Sequence, residues 1–126
     1  MDLIDGSDFL SYVAPGGCTN FDRLRSVLPQ VVSGVMALHR HGIVHRDLKP
    51  DNIFLLTGED ELLTKVLDFG IAKATRGMEK TRTGVLKGKI SYLSPEQCMQ
   101  EPIDRRSDLF TIAVVIHELL CFERPF

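Results

Sequence analysis

The residues able to do chemistry lie in one stretch, His45-Arg46-Asp47-Leu48-Lys49-Pro50-Asp51-Asn52, and in a second, Asp68-Phe69-Gly70, that begins 16 residues further on. The first stretch sets out a carboxylate at Asp47, a cation two residues on at Lys49 and an amide oxygen five residues on at Asn52. Pro50 stiffens the loop between them. Those types at that spacing suit a proton-accepting oxygen, a phosphate-facing charge and a ligand for a hard metal ion. Asp68 adds a second carboxylate, and Gly70 lets the chain leave it in almost any direction. Two carboxylates and an amide oxygen match Mg²⁺, which takes few protein ligands and keeps waters and phosphate oxygens.

The elements around these residues must hold them in place. Met1-Asp2-Leu3-Ile4 is a short apolar start, and Asp5-Gly6-Ser7 reads as a turn. Ser7 or Asp8 can cap a short helix through Val13, which Ala14-Pro15-Gly16-Gly17 stops. Asn20 caps a longer helix from Phe21 to about His41, with Leu24, Leu28, Val31, Val35 and Leu38 at three- and four-residue steps. Pro29 predicts a kink or a restart in it, and Gly42 a C-cap. Ile43-Val44 then reads as a brief strand leading into the Asp47 loop. Residues 53–56 and 62–67, with turn residues 57–60 between them, predict a hairpin. Residues 72–86 carry Lys, Arg, Thr and Gly without an apolar period, which predicts a mobile loop. Asp104-Arg105-Arg106-Ser107-Asp108 opens a last helix whose buried face reads as Leu109, Ile112, Ala113, Ile116, Leu119 and Leu120.

Bulk properties exclude several functions. The 126 residues suffice for one domain with a core and are short for two. A net charge of -2, with 44% apolar and 25% charged residues, gives no argument for nucleic acid or an anionic membrane surface as partner. Cys18, Cys98 and Cys121 are too widely spaced for a disulfide framework or a zinc knuckle, so reduced, partly buried thiols in a cytoplasmic protein are expected. The first ten residues carry three aspartates and no basic region, and the apolar run 109–122 is too short to span a bilayer. His39, His41 and His45 share no helical face across Gly42, so packing or surface roles are expected for them rather than metal binding.

The paired pattern resembles H-R-D-L-x-x-x-N followed by D-F-G, the catalytic loop and metal-binding motif of the protein kinases. Ser94-Pro95-Glu96 stands where that family usually carries A-P-E. Lys49 within the loop resembles the serine/threonine branch, and Tyr92-Leu93-Ser94-Pro95-Glu96-Gln97 resembles bacterial members. The chain is thus similar to eukaryotic-like (Hanks-type) serine/threonine protein kinases of bacterial type. The resemblance implies an α+β fold, a kinase-like C-lobe that is mainly helical with a small β-hairpin. It covers residues 1–126 as a partial domain: hinge, catalytic loop, DFG, activation segment and central C-lobe helix. The glycine-rich loop, strand lysine and helix glutamate of the N-lobe do not occur in this chain.

The resemblance also implies roles. Asp47 would accept or orient the proton of a substrate hydroxyl, and Lys49 would neutralise charge on the moving phosphoryl group. Asn52 and Asp68 would hold Mg²⁺ against the phosphates of ATP. Asp2 and Ile4 would meet the adenine edge through their backbones, Asp8 would face the ribose, and Phe54 and Leu67 would supply apolar surface nearby. Asp108 would hold the catalytic-loop backbone. Thr81 and Thr83 become candidate phosphosites that could pair with Arg46. Lys89 replaces a threonine that usually helps tie the catalytic aspartate to the catalytic lysine. The implied partner is a protein bearing serine or threonine, with a further partner or the missing N-lobe covering the nucleotide face. Weak or no activity is expected of these residues alone. Two other readings compete: a non-catalytic kinase-like regulatory half-domain, and an aminoglycoside-kinase type, which would show H-G-D-x-H-x-x-N instead.

Overall fold

The computed structural model describes residues 6–57, 62–66 and 90–126. The longest helix, α2 (Phe21–Arg40), begins where the sequence places it, because the Asn20 side chain accepts from the N–H groups of Asp22 and Arg23, both at 3.1 Å. Its buried stripe is Leu24, Val27, Val31 and Val35. Burying each such side chain stabilises the fold by roughly 1.5–3 kcal/mol. Pro29 sits inside this one continuous helix, so it marks no restart. Val27 and Val31, buried on either side of it, hold the two halves on the same core.

The end of α2 aims the chain at the Asp47 loop. Gly42 takes a φ of 72°, its N–H donates to the His39 carbonyl at 3.1 Å, and the Ile43 N–H donates to the Leu38 carbonyl at 3.0 Å. These two bonds close a Schellman motif, which needs a left-handed residue at that point. A Cβ added at Gly42 would meet nothing within 4 Å, so the demand is on the backbone alone. Gly42→Ala is therefore expected to lower the unfolding free energy by about 1 kcal/mol. A urea denaturation midpoint that drops at unchanged slope would show it, and an unchanged midpoint would refute it.

A three-stranded antiparallel sheet in the order β1-β2-β3 covers one side of α2. Strand β2 (Ile53–Thr57) follows the Asp47 loop, and β3 (Leu62–Val66) pairs with it from Ile53 opposite Val66 to Thr57 opposite Leu62, as the predicted hairpin requires. Residues 6 and 7, read above as part of a turn, instead belong to β1 (Gly6–Asp8), whose Cα partners are Leu56, Leu55 and Phe54. A three-residue strand has little propensity of its own, and here the free edge of β2 supplies the pairing. Ile43 and Val44 form no strand; they are irregular chain. Gln30 on α2 joins helix to sheet by accepting from the Thr64 N–H at 2.8 Å.

Helix α1 (Phe9–Val13) is capped by Asp8, whose Oδ1 accepts the Ser11 N–H at 2.9 Å, and its Phe9 and Val13 are fully buried. Helix α3 (Pro95–Met99) is capped by Ser94, and α4 (Arg105–Cys121) by Asp104. The core gathers Phe9, Val13, Val27, Val31, Leu55 and Val115 with their neighbours. The buried face of α4 departs from the sequence reading: it is Ser107, Asp108, Thr111, Val114, Val115 and Leu119, while Leu109, Ala113 and Leu120 are exposed. Apolar and polar residues are spread around α4 without forming one apolar stripe, so its tertiary partners fix its rotation. The three cysteines are free but exposed rather than partly buried, Cys98 and Cys121 lying on the outer faces of α3 and α4. Among the described residues, no helix is long and apolar enough to cross a membrane.

Candidate active site

The Asp47 loop hangs from one buried carboxylate. Asp108, 1% exposed in the first turn of α4, accepts the His45 N–H on Oδ2 at 2.8 Å and the Arg46 N–H on Oδ1 at 3.0 Å. The same Oδ2 lies 2.7 Å from Nε2 of His39 in the last turn of α2. Three polar partners around one buried carboxylate offset its desolvation, which alone would be prohibitive. The role that the resemblance implies for Asp108 thus has its geometry here.

Within the loop the backbone is folded back on itself. His45 is fully buried, and its Nδ1 accepts the Asp47 N–H at 3.2 Å. Arg46 takes a left-handed φ of 68°, a conformation that a non-glycine residue holds only under constraint. Its N–H is fixed by Asp108, and its carbonyl accepts the Gln97 side-chain amide at 2.7 Å. The Asp47 carbonyl accepts Nδ2 of Asn52, also at 2.7 Å, across the short 3₁₀ turn Pro50–Asn52.

The structure brings together Asp47, Lys49 and Asn52 on this loop. Asp47 is partly exposed. The Lys49 ammonium lies 3.7 Å from Oδ2 of Asp51, a carboxylate that is itself 77% exposed. So loose a surface pair contributes less than about 1 kcal/mol and leaves the cation free to turn to another anion. Asn52 is 6% exposed, and because Nδ2 is committed to Asp47, its Oδ1 is the atom left for a hard cation. That committed amide fits the residue to Mg²⁺. Among the described residues no group of three or more His, Cys, Asp or Glu could hold a metal, and His39 and His45 serve the loop instead.

Asp8 and Phe54, the two residues expected near the ribose and the adenine, are Cα partners across the β1–β2 ladder. The Asp8 carboxylate is engaged in capping α1. The Ser11 hydroxyl, 2.6 Å from Oδ2, and the Ser11 N–H hold its pKa below the ordinary carboxylate value. Asp2, Ile4, Leu67, Asp68, Thr81, Thr83 and Lys89 lie outside the described residues.

A second network joins residues 92–97 to α4. Tyr92 donates its hydroxyl to Glu118, and the Arg124 guanidinium lies 5.0 Å over the Tyr92 ring and 3.1 Å from Oε1 of Glu118. Burial and the Glu118 carboxylate push the Tyr92 phenol well above its usual range. The Thr111 hydroxyl donates to the Tyr92 carbonyl at 2.8 Å. The Ser107 hydroxyl donates to Glu96, which lowers that carboxyl's pKa. Two residues of the site were missed in reading the sequence. His39 reaches Asp108 across 69 positions with no local signal. Gln97 did carry one, since Ser94-x-x-Gln97 is a capping-box pattern.

Comparison with known proteins agrees with this geometry. The model of the protein kinase domain family matches residues 1–126. The serine/threonine-protein kinase Pkn1 of Myxococcus xanthus is 41% identical over 128 residues, spanning 100% of this chain and 18% of that protein. PknL of Mycobacterium tuberculosis is 38% identical over 126 residues, spanning 100% of this chain and 31% of that protein. The chain thus spans less than a third of the length of these curated relatives. A solved structure of the Rad53 kinase domain and SCD2 in complex with AMPPNP superposes with a TM-score of 0.69 at 26% identity, over 100% of this chain and 44% of that one. With its H-R-D loop suspended from α4 and a family match along its whole length, the chain belongs to the protein kinase domain family, on the bacterial serine/threonine side.

Proposed function

We propose that this chain carries the hydroxyl-activating and metal-binding part of a site that transfers phosphoryl groups from ATP to serine or threonine hydroxyls of proteins in the cytoplasm. Asp47 accepts or orients the hydroxyl proton, Lys49 neutralises charge on the phosphoryl group, and Asn52 with Asp68 holds Mg²⁺. When bound, the metal neutralises phosphate charge. The observation that supports this reading is the 2.7 Å bond from the Asn52 amide to the main-chain carbonyl of Asp47, which ties the proposed metal ligand to the backbone of the proposed proton acceptor. The AMPPNP named with the Rad53 structure supports ATP as the nucleotide, with Asp2, Ile4, Asp8 and Phe54 around its base and sugar. The partial domain over residues 1–126 then runs from hinge to central helix, and its nucleotide face takes a further lobe or partner as cover.

Titration calorimetry with ATP and Mg²⁺, on this chain and on Asp68→Ala, tests the reading. Binding that is lost in the variant supports it. Equal binding by both chains removes Asp68 from the metal site, and binding by neither shows that these residues do not hold nucleotide by themselves.

A further inference from the structure

The side chain of Gln97 makes two connections at once. Its Oε1 accepts the Ser94 N–H at 3.0 Å, closing the N-terminal cap of α3. Its Nε2 donates to the Arg46 carbonyl at 2.7 Å, 51 residues away in sequence. Arg46 is the left-handed residue immediately before Asp47, and Asp108 fixes its N–H from the opposite element, α4. We propose that Gln97 is a positioning residue for Asp47: it fixes the peptide between Arg46 and Asp47 and ties it to α3.

The physical reason lies in the peptide plane. A left-handed residue without a glycine's freedom relaxes toward ordinary φ unless both sides of it are held. Asp108 holds the N–H side of Arg46, and Gln97 holds the carbonyl of the peptide whose N–H belongs to Asp47. That Asp47 N–H is in turn bound to His45 Nδ1. Releasing the carbonyl lets this plane rotate, and the Asp47 side chain moves with it. Because the same amide completes the α3 cap, a shift of residues 94–97 is transmitted to the loop through one side chain.

The proposal rests on the kinase reading only in naming Asp47 as the group positioned. Its test is amide hydrogen exchange by NMR, which needs no phosphoryl transfer, so an inactive chain does not disturb it. On the full chain, Gln97→Glu keeps the acceptor for Ser94 and loses the donor for Arg46; Gln97→Lys keeps a donor and loses the acceptor. Gln97→Glu is expected to speed exchange of the Asp47 amide by about tenfold or more while the α3 amides change by less than about twofold. The unaltered chain is expected to show a hydrogen-bond scalar coupling from Gln97 Nε2 to the Arg46 carbonyl carbon, and Gln97→Glu to abolish it. Gln97→Lys is expected to retain protection at Asp47 and to loosen α3. Asp47 exchange unchanged in Gln97→Glu overturns the proposal, as does equal loosening of loop and helix. Should the Glu variant not fold, loss of Asp47 protection in the Lys variant overturns it and retention supports it.

Discussion

Asp108→Ala is expected to lower the unfolding free energy by about 3–5 kcal/mol, a large part of the 5–15 kcal/mol that holds a domain of this size together. The substitution removes the acceptor of the His45 N–H, the Arg46 N–H and the His39 ring at one stroke. Each is buried or partly buried, and a donor left without a partner there costs about 1–3 kcal/mol. Asparagine should rescue little, since it keeps one acceptor oxygen and turns an NH₂ group toward a second donor. Urea denaturation of the two variants measures both effects. A loss below about 1 kcal/mol in the alanine variant would show that the loop is held by its flanking apolar contacts instead, with buried Leu48 and Ile53 the first suspects.

Asp47→Asn is expected to slow phosphoryl transfer by about 10²–10⁴-fold, the range in which a positioned acid–base group contributes. The prediction rests on the proposed function and is read in a transfer assay against a serine- or threonine-containing protein substrate, with the lobe or partner that covers the nucleotide face supplied. The affinity for ATP with Mg²⁺ should stay within about twofold, because the substitution touches neither proposed metal ligand. The fold of the loop should survive as well. Asn52 is bonded to the main-chain carbonyl of residue 47, and His45 to its main-chain N–H, so neither contact uses the carboxylate. A rate within about threefold of the unaltered chain would take Asp47 out of the proton-handling role. A parallel loss of nucleotide affinity would assign it to the metal site instead.

Helix and hairpin positions were largely legible because their signals are local. Asn20 at the N-terminus of α2, Gly42 past its end and the apolar steps of Leu24, Val31 and Val35 act within a few residues of one another. The hairpin of β2 and β3 is equally local. Where the signal depended on a partner, the sequence misled. Gly6 and Ser7 carry turn chemistry, yet they pair with β2 because its edge is open. Pro29 costs the Arg25 carbonyl its helical partner, but valines 27 and 31 keep the helix continuous on the core.

The sequence by itself determined the chemistry on offer at the site: a carboxylate, a cation and an amide at Asp47, Lys49 and Asn52, on a loop stiffened by Pro50. Residue type and short spacing suffice for that, since a carboxylate is a proton acceptor wherever it is placed. Only the tertiary structure decided what holds those groups still. The rotation of α4 was open, because its apolar residues are spread around the helix and form no single stripe. It is settled by Asp108, which must reach His39, His45 and Arg46 once buried, and Leu109 and Leu120 are left facing outward as a result. Gln97 meets Arg46 across 51 residues for a related reason: a partly buried polar group gains by finding a partner, and proximity in space chooses which one.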